Sequence, residues 1–199
     1  MAKKDIFVAL ICAAAFIGTS YQQRPSSRGA WYLDIEKFYK TLGHLWIIAT
    51  ATANQQANTA CKLYDVTSVN GRTVYFRRIY YKNGTRVQTE LTGRLKVEDH
   101  PVVAKLMNYN HVMRVYPPGE NMFEERLLYQ SSGKECGIFN VRSLIRRLHI
   151  TSEYYELRLW NSSAVSPYKE CLKAYAERVP NGNVITTYYN GLCKNILTT

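Results

Sequence analysis

The chain has 199 residues, 46% of them hydrophobic, and 26 lysines and arginines against 15 acidic residues give it a formal net charge of +11. This length fits one domain with a sizeable core. The charge raises the question of nucleic acid or heparin binding. The basic residues are scattered among acidic ones, so a solvated basic surface explains them and we expect no nucleic-acid partner.

The first 20 residues are typical of a secretory signal peptide. Lys3 and Lys4 precede an apolar run over residues 6–17, and small residues follow up to Ser20. The run is too short to span a bilayer, and no later stretch is long enough. We therefore expect cleavage after Ser20, secretion, and a single mature domain over residues 21–199.

A short amphipathic helix is predicted over residues 33–42, with Asp34 as its cap and Gly43 at its end. Its apolar residues recur at helical spacing: Ile35, Phe38, Tyr39 and Leu42. A first strand, HLWIIATATA, follows. Three long strand-like runs come next, ACKLYDVTSVN, RTVYFRRIYYK and TRVQTELTGRLKV. Asn70-Gly71 and Asn83-Gly84 separate them, and this dipeptide tolerates the positive φ angles of a type I′ hairpin turn.

Four further strands are predicted as HVMRVY, MFEERLLYQ, KECGIFNV and SEYYELRLW. Eight strands in chain order indicate a mainly β, up-and-down antiparallel barrel, because closure removes exposed sheet edges. Barrels of this size often hold one small ligand. A terminal helix is predicted from Ser166 and Pro167, with an apolar stripe of Tyr168, Leu172, Tyr175 and Val179. A last extended segment, NVITTYYNGLC, carries Cys193 back to the barrel.

The hairpin turns predict which side chains face the barrel interior. With a two-residue loop at Asn83-Gly84, the pairing places Phe76, Arg78, Tyr80 and Leu91 inside and Arg77, Tyr81 and Glu90 outside. The same rule at Asn70-Gly71 places Cys61, Leu63, Asp65 and Thr67 inside. Asp65 and Arg78 are then close enough to pair, either as a ligand anchor or as a structural pair.

The last strand is ambiguous. Glu156, Arg158 and Trp160 share one face, and Tyr155, Leu157 and Leu159 share the other. The pattern alone favours burying the second set and solvating Glu156 and Arg158.

Four cysteines remain after the leader, and an even number in a secreted chain indicates two disulfides with three possible pairings. Sequons at Asn83 and Asn161 predict N-glycosylation. The sequence has no GxSxG, P-loop or HExxH motif and no clustered metal ligands, so we expect no enzyme, no cofactor and no metal site.

The chain resembles the histamine-binding protein family of tick salivary lipocalins. The helix DIEKFYKTL leads into Gly43-His44-Leu45-Trp46, a loosened form of the lipocalin Gly-x-Trp start, and eight strands and a terminal helix follow. The cysteines match the family in order, as does CGIF…YYELRLW…C. The segment from helix to first strand resembles the japanin-like branch, which binds sterol and reprograms host immune cells.

The resemblance implies the disulfides Cys61–Cys193 and Cys136–Cys171. The amine-binding subset of the family has the pattern Cys-Asp-aliphatic, then Glu-Leu-aromatic, then Cys, and its Glu helps to hold the ammonium group of the ligand. Here Gly137 replaces the Asp and Arg158 the aromatic residue, so only Glu156 survives.

We therefore expect a secreted, monomeric lipocalin of tick saliva that binds without turnover and blunts host defence. Its ligand is a mostly apolar molecule (a sterol, fatty acid or eicosanoid) or, as an alternative, histamine or serotonin. A third possibility is that the outer surface binds a host immune protein or receptor. The candidate ligand-binding residues are Trp46, Asp65, Phe76, Arg78, Tyr80, Leu91, Glu156 and Arg158.

Overall fold

The computed structural model describes residues 33–53, 59–96, 111–145, 149–160, 165–187 and 189–198. Two α-helices, α1 (Ile35–Tyr39) and α2 (Val165–Arg178), flank the main strands, and a 3₁₀ helix (Gly191–Leu197) ends the fold. The strands are β1 (Gly43–Thr52), β2 (Thr59–Asn70), β3 (Thr73–Lys82), β4 (Thr85–Lys96), β5 (Val112–Tyr116), β6 (Phe123–Gln130), β7 (Cys136–Ile145), β8 (His149–Trp160) and β9 (Val184–Thr187). The predicted signal peptide and the sequon at Asn161 lie outside the described residues.

The strands β1 to β8 form a closed antiparallel barrel. Each pairs with the next along the chain, and β8 pairs back with β1. The predicted barrel, with a short helix before it and a C-terminal helix after it, is confirmed. The short strand β9 lies on the edge of β1 at residues 49–52, beyond residues 43–46 that pair with β2. Within the described ranges, no helix has the length and apolar character needed to cross a bilayer.

The β3–β4 hairpin has the predicted register. Lys82 pairs with Thr85, and the ladder continues without a bulge to Phe76 opposite Leu91. Asn83 and Gly84 have φ angles of 51° and 79°, as a type I′ turn requires. Phe76 and Leu91 accordingly lie in the apolar cluster inside the barrel.

The β2–β3 pairing contradicts the prediction for β2. Asn70 pairs with Thr73, so the two-residue loop is Gly71-Arg72 rather than Asn70-Gly71. The register of β2 also shifts at two bulges, one between Ala60 and Leu63 and one between Val66 and Ser68. Thr67 is an extra residue with no counterpart on β3, and an inserted residue reverses which side chains face inward. Val66, rather than Asp65, therefore lies opposite inward-facing Phe76. The β2 side chains that were wrongly predicted to face inward are Cys61, Leu63, Asp65 and Thr67.

Asp65 consequently pairs outside the barrel and not with Arg78. Its carboxylate accepts a hydrogen bond from Arg77, and His44 Nε2 lies 3.6 Å from it. The predicted Asp65–Arg78 pair is thus wrong, although Arg77 faces outward as expected.

The core has two layers. The inner layer fills the barrel and includes α1, whose Ile35, Phe38 and Tyr39 are fully buried. Asp34 caps this helix by accepting a hydrogen bond from Lys37 N at 3.0 Å. The helix is shorter than predicted, and Leu42 lies beyond it with 57% of its surface exposed.

The outer layer lies between the barrel wall and the C-terminal segments. Leu157 and Leu159 of β8 are buried there with Cys171, Ala174 and Tyr175 of α2. Leu172, which was predicted on the buried stripe of α2, is 39% exposed.

The disulfides are those that the resemblance implied, and both belong to the outer layer. Cys136 of β7 is bonded to Cys171 of α2, and Cys61 of β2 is bonded to Cys193 of the 3₁₀ helix. Each cross-link of this kind contributes about 2–4 kcal/mol of stability. Together they hold the C-terminal segments on the barrel wall.

Candidate functional site

A buried ionic cluster lies inside the barrel, with Arg158 at its centre. Arg158 and Glu156 are two residues apart on β8, so both face inward, and both are fully buried. The preference for solvating these two residues was wrong. It failed because α2 covers the outer face of β8, so that both faces of this strand are buried.

Arg158 donates hydrogen bonds to side chains from three elements. Its Nη1 and Nη2 atoms each lie 2.7 Å from an oxygen of Glu125 on β6, a two-point ion pair. Its Nε donates to Glu156 Oε2 at 2.8 Å, and Nη1 also donates to the Tyr39 hydroxyl of α1 at 2.6 Å. The Tyr39 hydroxyl in turn donates to Glu125 at 2.8 Å. The donors and acceptors of the cluster therefore satisfy one another.

Lys62 completes the charge balance of the cluster. Its Nζ donates to Glu156 Oε1 at 2.6 Å, from a side chain that is 15% exposed. The cluster thus contains two cationic side chains and two carboxylates. Aromatic rings flank the guanidinium of Arg158, whose carbon lies 4.1 Å from the Phe139 ring centre and 4.7 Å from that of Tyr64.

The pKa shifts follow from burial and from this pairing. Burial alone would raise the pKa of Glu156, but the charges of Lys62 and Arg158 outweigh it and hold this pKa below its usual value. Burial would lower the pKa of Arg158, and the carboxylate of Glu125 leads the opposing effects that raise it well above normal. Burial also raises the pKa of Tyr39 well above normal, so its hydroxyl remains a donor.

The mouth of the barrel is the end that carries the β3–β4 and β5–β6 turns, opposite α1. It holds a pocket of about 540 Å³. Most of the side chains around it are polar, and Phe123 and Tyr154 are aromatic. The lining residues are Arg78, Gly119, Glu120, Asn121, Phe123, Ser143, Ser152 and Tyr154.

Among the described residues that line this pocket, Arg78 is the cationic one. Its side chain is 16% exposed, and its Nη2 lies 3.2 Å from both carboxylate oxygens of Glu120 on the β5–β6 turn. Burial acts to lower the pKa of Arg78, but Tyr64 and Glu120 outweigh it and raise this pKa. The guanidinium also lies over the half-buried Tyr80 ring at 5.8 Å.

The candidate residues therefore lie in five different places. Arg78 and Tyr80 are at the mouth, while Glu156 and Arg158 are in the ionic cluster. Phe76 and Leu91 are packed in the inner layer. Asp65 is on the outer wall, and Trp46 lies in the outer layer with its ring centre 5.2 Å from that of Tyr189.

Several residues of the cluster and the pocket were not among the candidates: Tyr39, Lys62, Tyr64, Glu120, Glu125 and Tyr154. One of them carried a usable signal in the sequence. Glu125 alternates with Phe123 and Leu127, so it shares their apolar face, and an acidic residue on such a face needs a buried partner.

The comparisons with known proteins rest on structure alone. No protein-family model matches the sequence, and no characterised protein matches it significantly. Among solved structures, H1 crustacyanin from the lobster Homarus americanus is similar with a TM-score of 0.55 at 10% identity, covering 79% of this chain and 82% of that chain. The siderocalin Ex-FABP is similar with a TM-score of 0.53 at 12% identity, over 76% of this chain and 95% of that one.

A dog lipocalin allergen is similar with a TM-score of 0.51 at 11% identity, over 78% of this chain and 95% of that chain. At such identities the likeness shows the fold alone. The closed barrel and its two flanking helices are those of the lipocalin fold.

Proposed function

We propose that this chain is a secreted lipocalin that binds a small, mostly apolar ligand at the mouth of its barrel, without turnover. The observation that carries the proposal is the contrast between the two charged groups inside the barrel. The charges of the ionic cluster neutralise one another, whereas Arg78 lies beside a pocket of about 540 Å³ with an exposed carboxylate as its partner.

The pocket and the inward-facing side chains toward the mouth together offer a place for both parts of such a ligand. Arg78 can meet a carboxylate or a hydroxyl group. The inward-facing side chains toward the mouth are only half-buried, in contrast to the packed interior below them, and they offer apolar surface: Tyr80, Val87 and Tyr154. A ligand that covers them gains roughly 25 cal/mol for each Å² of apolar surface buried. A fatty acid, an eicosanoid or a sterol has this chemistry.

The amine alternative has less support. Glu156, the surviving residue of the amine pattern, is already bound to Lys62 and Arg158. At Gly137, where the pattern has Asp, a Cβ atom would lie 3.0 Å from the Phe38 ring and 2.9 Å from the Phe139 ring. Phe38 of α1 thus occupies the space that a second inward carboxylate would need.

Membership of the tick salivary family and action against host defence are part of the proposal. The disulfide pairing supports the family, since the resemblance implied it and the structure forms it. Two disulfides also suit secretion. The exposed Asn83 at the tip of the β3–β4 turn leaves room for a glycan, as expected of an extracellular protein.

Binding of a host immune protein or receptor is a second candidate function, and it can coexist with the first. Tyr75 and Tyr116 are 44% and 41% exposed on the outer wall, and both pair with Thr92 between them. Arg94 lies 5.8 Å from the Tyr116 ring. Exposed tyrosine and arginine side chains are enriched at protein interfaces. If the double variant Y75S/Y116S kept ligand binding but lost an effect on immune cells, this candidate would gain support.

Titration calorimetry tests the main proposal. We expect arachidonate or cholesterol to bind the folded protein and histamine and serotonin to bind weakly or not at all. Arg78→Gln should weaken arachidonate binding by about tenfold or more, since a charge-assisted contact is worth roughly 1.5–3 kcal/mol. Arg94→Gln, an exposed arginine on the outer wall, is the matched control and should change nothing. Tight histamine binding that Glu156→Gln abolishes, with no lipid binding, would contradict the proposal.

A further inference from the structure

The ion pair between Arg78 and Glu120 joins a fixed side chain to an exposed one. Arg78 belongs to β3, where it pairs with Tyr64 on one side and Thr89 on the other. Glu120 belongs to the turn between β5 and β6, and its side chain is 54% exposed against 16% for Arg78. Arg78 is therefore held by the barrel wall, and the carboxylate of Glu120 reaches it from the turn at the mouth.

Glu120 engages only part of the hydrogen-bonding capacity of the Arg78 guanidinium. Both oxygens of Glu120 lie 3.2 Å from the same atom, Nη2, rather than forming the two parallel hydrogen bonds of a strong arginine–carboxylate pair. The buried Nε of Arg78 has no acceptor among the described residues. In the ionic cluster, by contrast, Glu125 engages two nitrogens of Arg158 at 2.7 Å each.

We propose that Arg78 is an anion subsite, that Glu120 fills it in the free protein, and that the carboxylate of an acidic amphiphile displaces Glu120 on binding. This inference rests on the proposed function and narrows its ligand class to acids. Glu120 is 54% exposed, and an ion pair with a solvent-exposed partner contributes little to stability, so Glu120 can be exchanged at little cost. Once displaced, its carboxylate is solvated at the mouth, whereas the ligand carboxylate can also accept a hydrogen bond from the buried Nε of Arg78.

Glu120 is then a specificity-determining residue. It weakens the binding of acidic ligands, because their carboxylate must take the place of its own. A ligand with a hydroxyl group is little affected, because a neutral hydroxyl can share Arg78 with Glu120. The matched pair arachidonate and arachidonyl alcohol separates these two cases, since the two compounds differ only in the headgroup.

The experiment measures the affinities of both compounds for the wild type, Glu120→Gln and Glu124→Gln by titration calorimetry. Glu120→Gln removes the competing charge, and we expect it to tighten arachidonate binding by about three- to tenfold, with the alcohol changed by less than about twofold. Glu124→Gln is the control, since this glutamate on β6 pairs with Arg114 on the outer wall and should affect neither compound.

Three outcomes would overturn the inference. If Glu120→Gln binds arachidonate with unchanged or lower affinity, Glu120 does not compete with the ligand for Arg78. Equal tightening for acid and alcohol would show a change in access to the pocket rather than in charge. In both cases the proposed function stands. If neither compound, nor cholesterol, binds any of the variants, the proposed function fails together with the inference.

Discussion

Arg158 carries a positive charge in the interior of the barrel, where an isolated ion would be very unfavourable. Two carboxylates, a tyrosine hydroxyl and two aromatic rings surround it. A buried network of this kind contributes little net stability compared with an apolar core, but removing one member leaves an unpaired buried charge. Removing one residue of the cluster should therefore reduce stability more than replacing the whole cluster with apolar residues.

The first prediction concerns the loss of stability when one member of the cluster is removed. Arg158→Met should lower the free energy of unfolding by about 3–5 kcal/mol, because Glu125 then has no cationic partner in the cluster. Adding Glu125→Leu should recover part of the loss, since Glu156 and Lys62 remain as a neutral pair. Urea denaturation of the two variants measures both values. Arg94→Met serves as the exposed control, and a loss below about 1 kcal/mol for Arg158→Met would contradict the prediction.

The second prediction concerns pH. The pKa of Glu156 is lower in the folded state than in the unfolded chain, so between these two values only the unfolded chain binds the proton. The contribution of Glu156 to stability is therefore complete above the unfolded value of about 4.3 and is lost as the pH falls through the folded pKa.

Urea denaturation between about pH 7 and pH 3 tests this dependence. The wild type should lose stability toward acid more steeply than Glu156→Gln, which is less stable at neutral pH but lacks this titration. Glu90→Gln, a substitution of an exposed residue on β4, should show the same dependence of stability on pH as the wild type. Parallel curves for the wild type and Glu156→Gln would show that Glu156 does not contribute.

At the scale of the elements, β8 is buried on both faces over residues 156–160. Its inward face carries the charges of the cluster, and its outward face lies under α2. Strand alternation normally separates an apolar buried face from a polar solvated one, and here that rule assigned the faces wrongly. The error has a physical cause, because whether a helix covers the outer wall depends on contacts with residues distant in sequence.

The third prediction follows from the outer layer. Leu157→Ala should destabilise the protein by about 2–5 kcal/mol, since this fully buried side chain supports α2 on the wall. Leu172→Ala is the matched control on the helix itself and should change stability by no more than about 0.5 kcal/mol, because that side chain is 39% exposed. Thermal or urea unfolding gives both values. Equal losses would show that Leu172, as the sequence pattern indicated, is also buried.

The two hairpins show how far register can be predicted from sequence. At Asn83-Gly84 a tight turn is followed by strands without a bulge, so every predicted pair from the turn to Phe76 is present. At the other hairpin the loop is Gly71-Arg72 rather than the predicted Asn70-Gly71, and the bulge at Thr67 then reverses the inward set. Local chemistry therefore predicts a register only as far as the first irregularity.

At the scale of the whole molecule, the barrel and its disulfides could be predicted, but the candidate site only in part. Arg78, Glu156 and Arg158 were recognised as inward or ambiguous charges. Their roles depend on partners from other elements, above all Glu125 and Glu120, which only the closed barrel brings near. Within the described part of the barrel, a neutral and internally paired cluster in the interior is thus separate from the Arg78–Glu120 ion pair at the mouth.

The bond between Cys61 and Cys193 has a consequence for the order of folding. Cys61 is synthesised 132 residues before its partner, while Cys136 and Cys171 are only 35 residues apart and emerge between them. Shorter loops close more readily, so the bond of α2 to β7 should form first and the bond of Cys61 last. During that interval Cys61 is a free thiol that can pair with the wrong cysteine. Reshuffling such bonds takes seconds to hours, so the yield of native protein should depend on the redox buffer and on a disulfide isomerase.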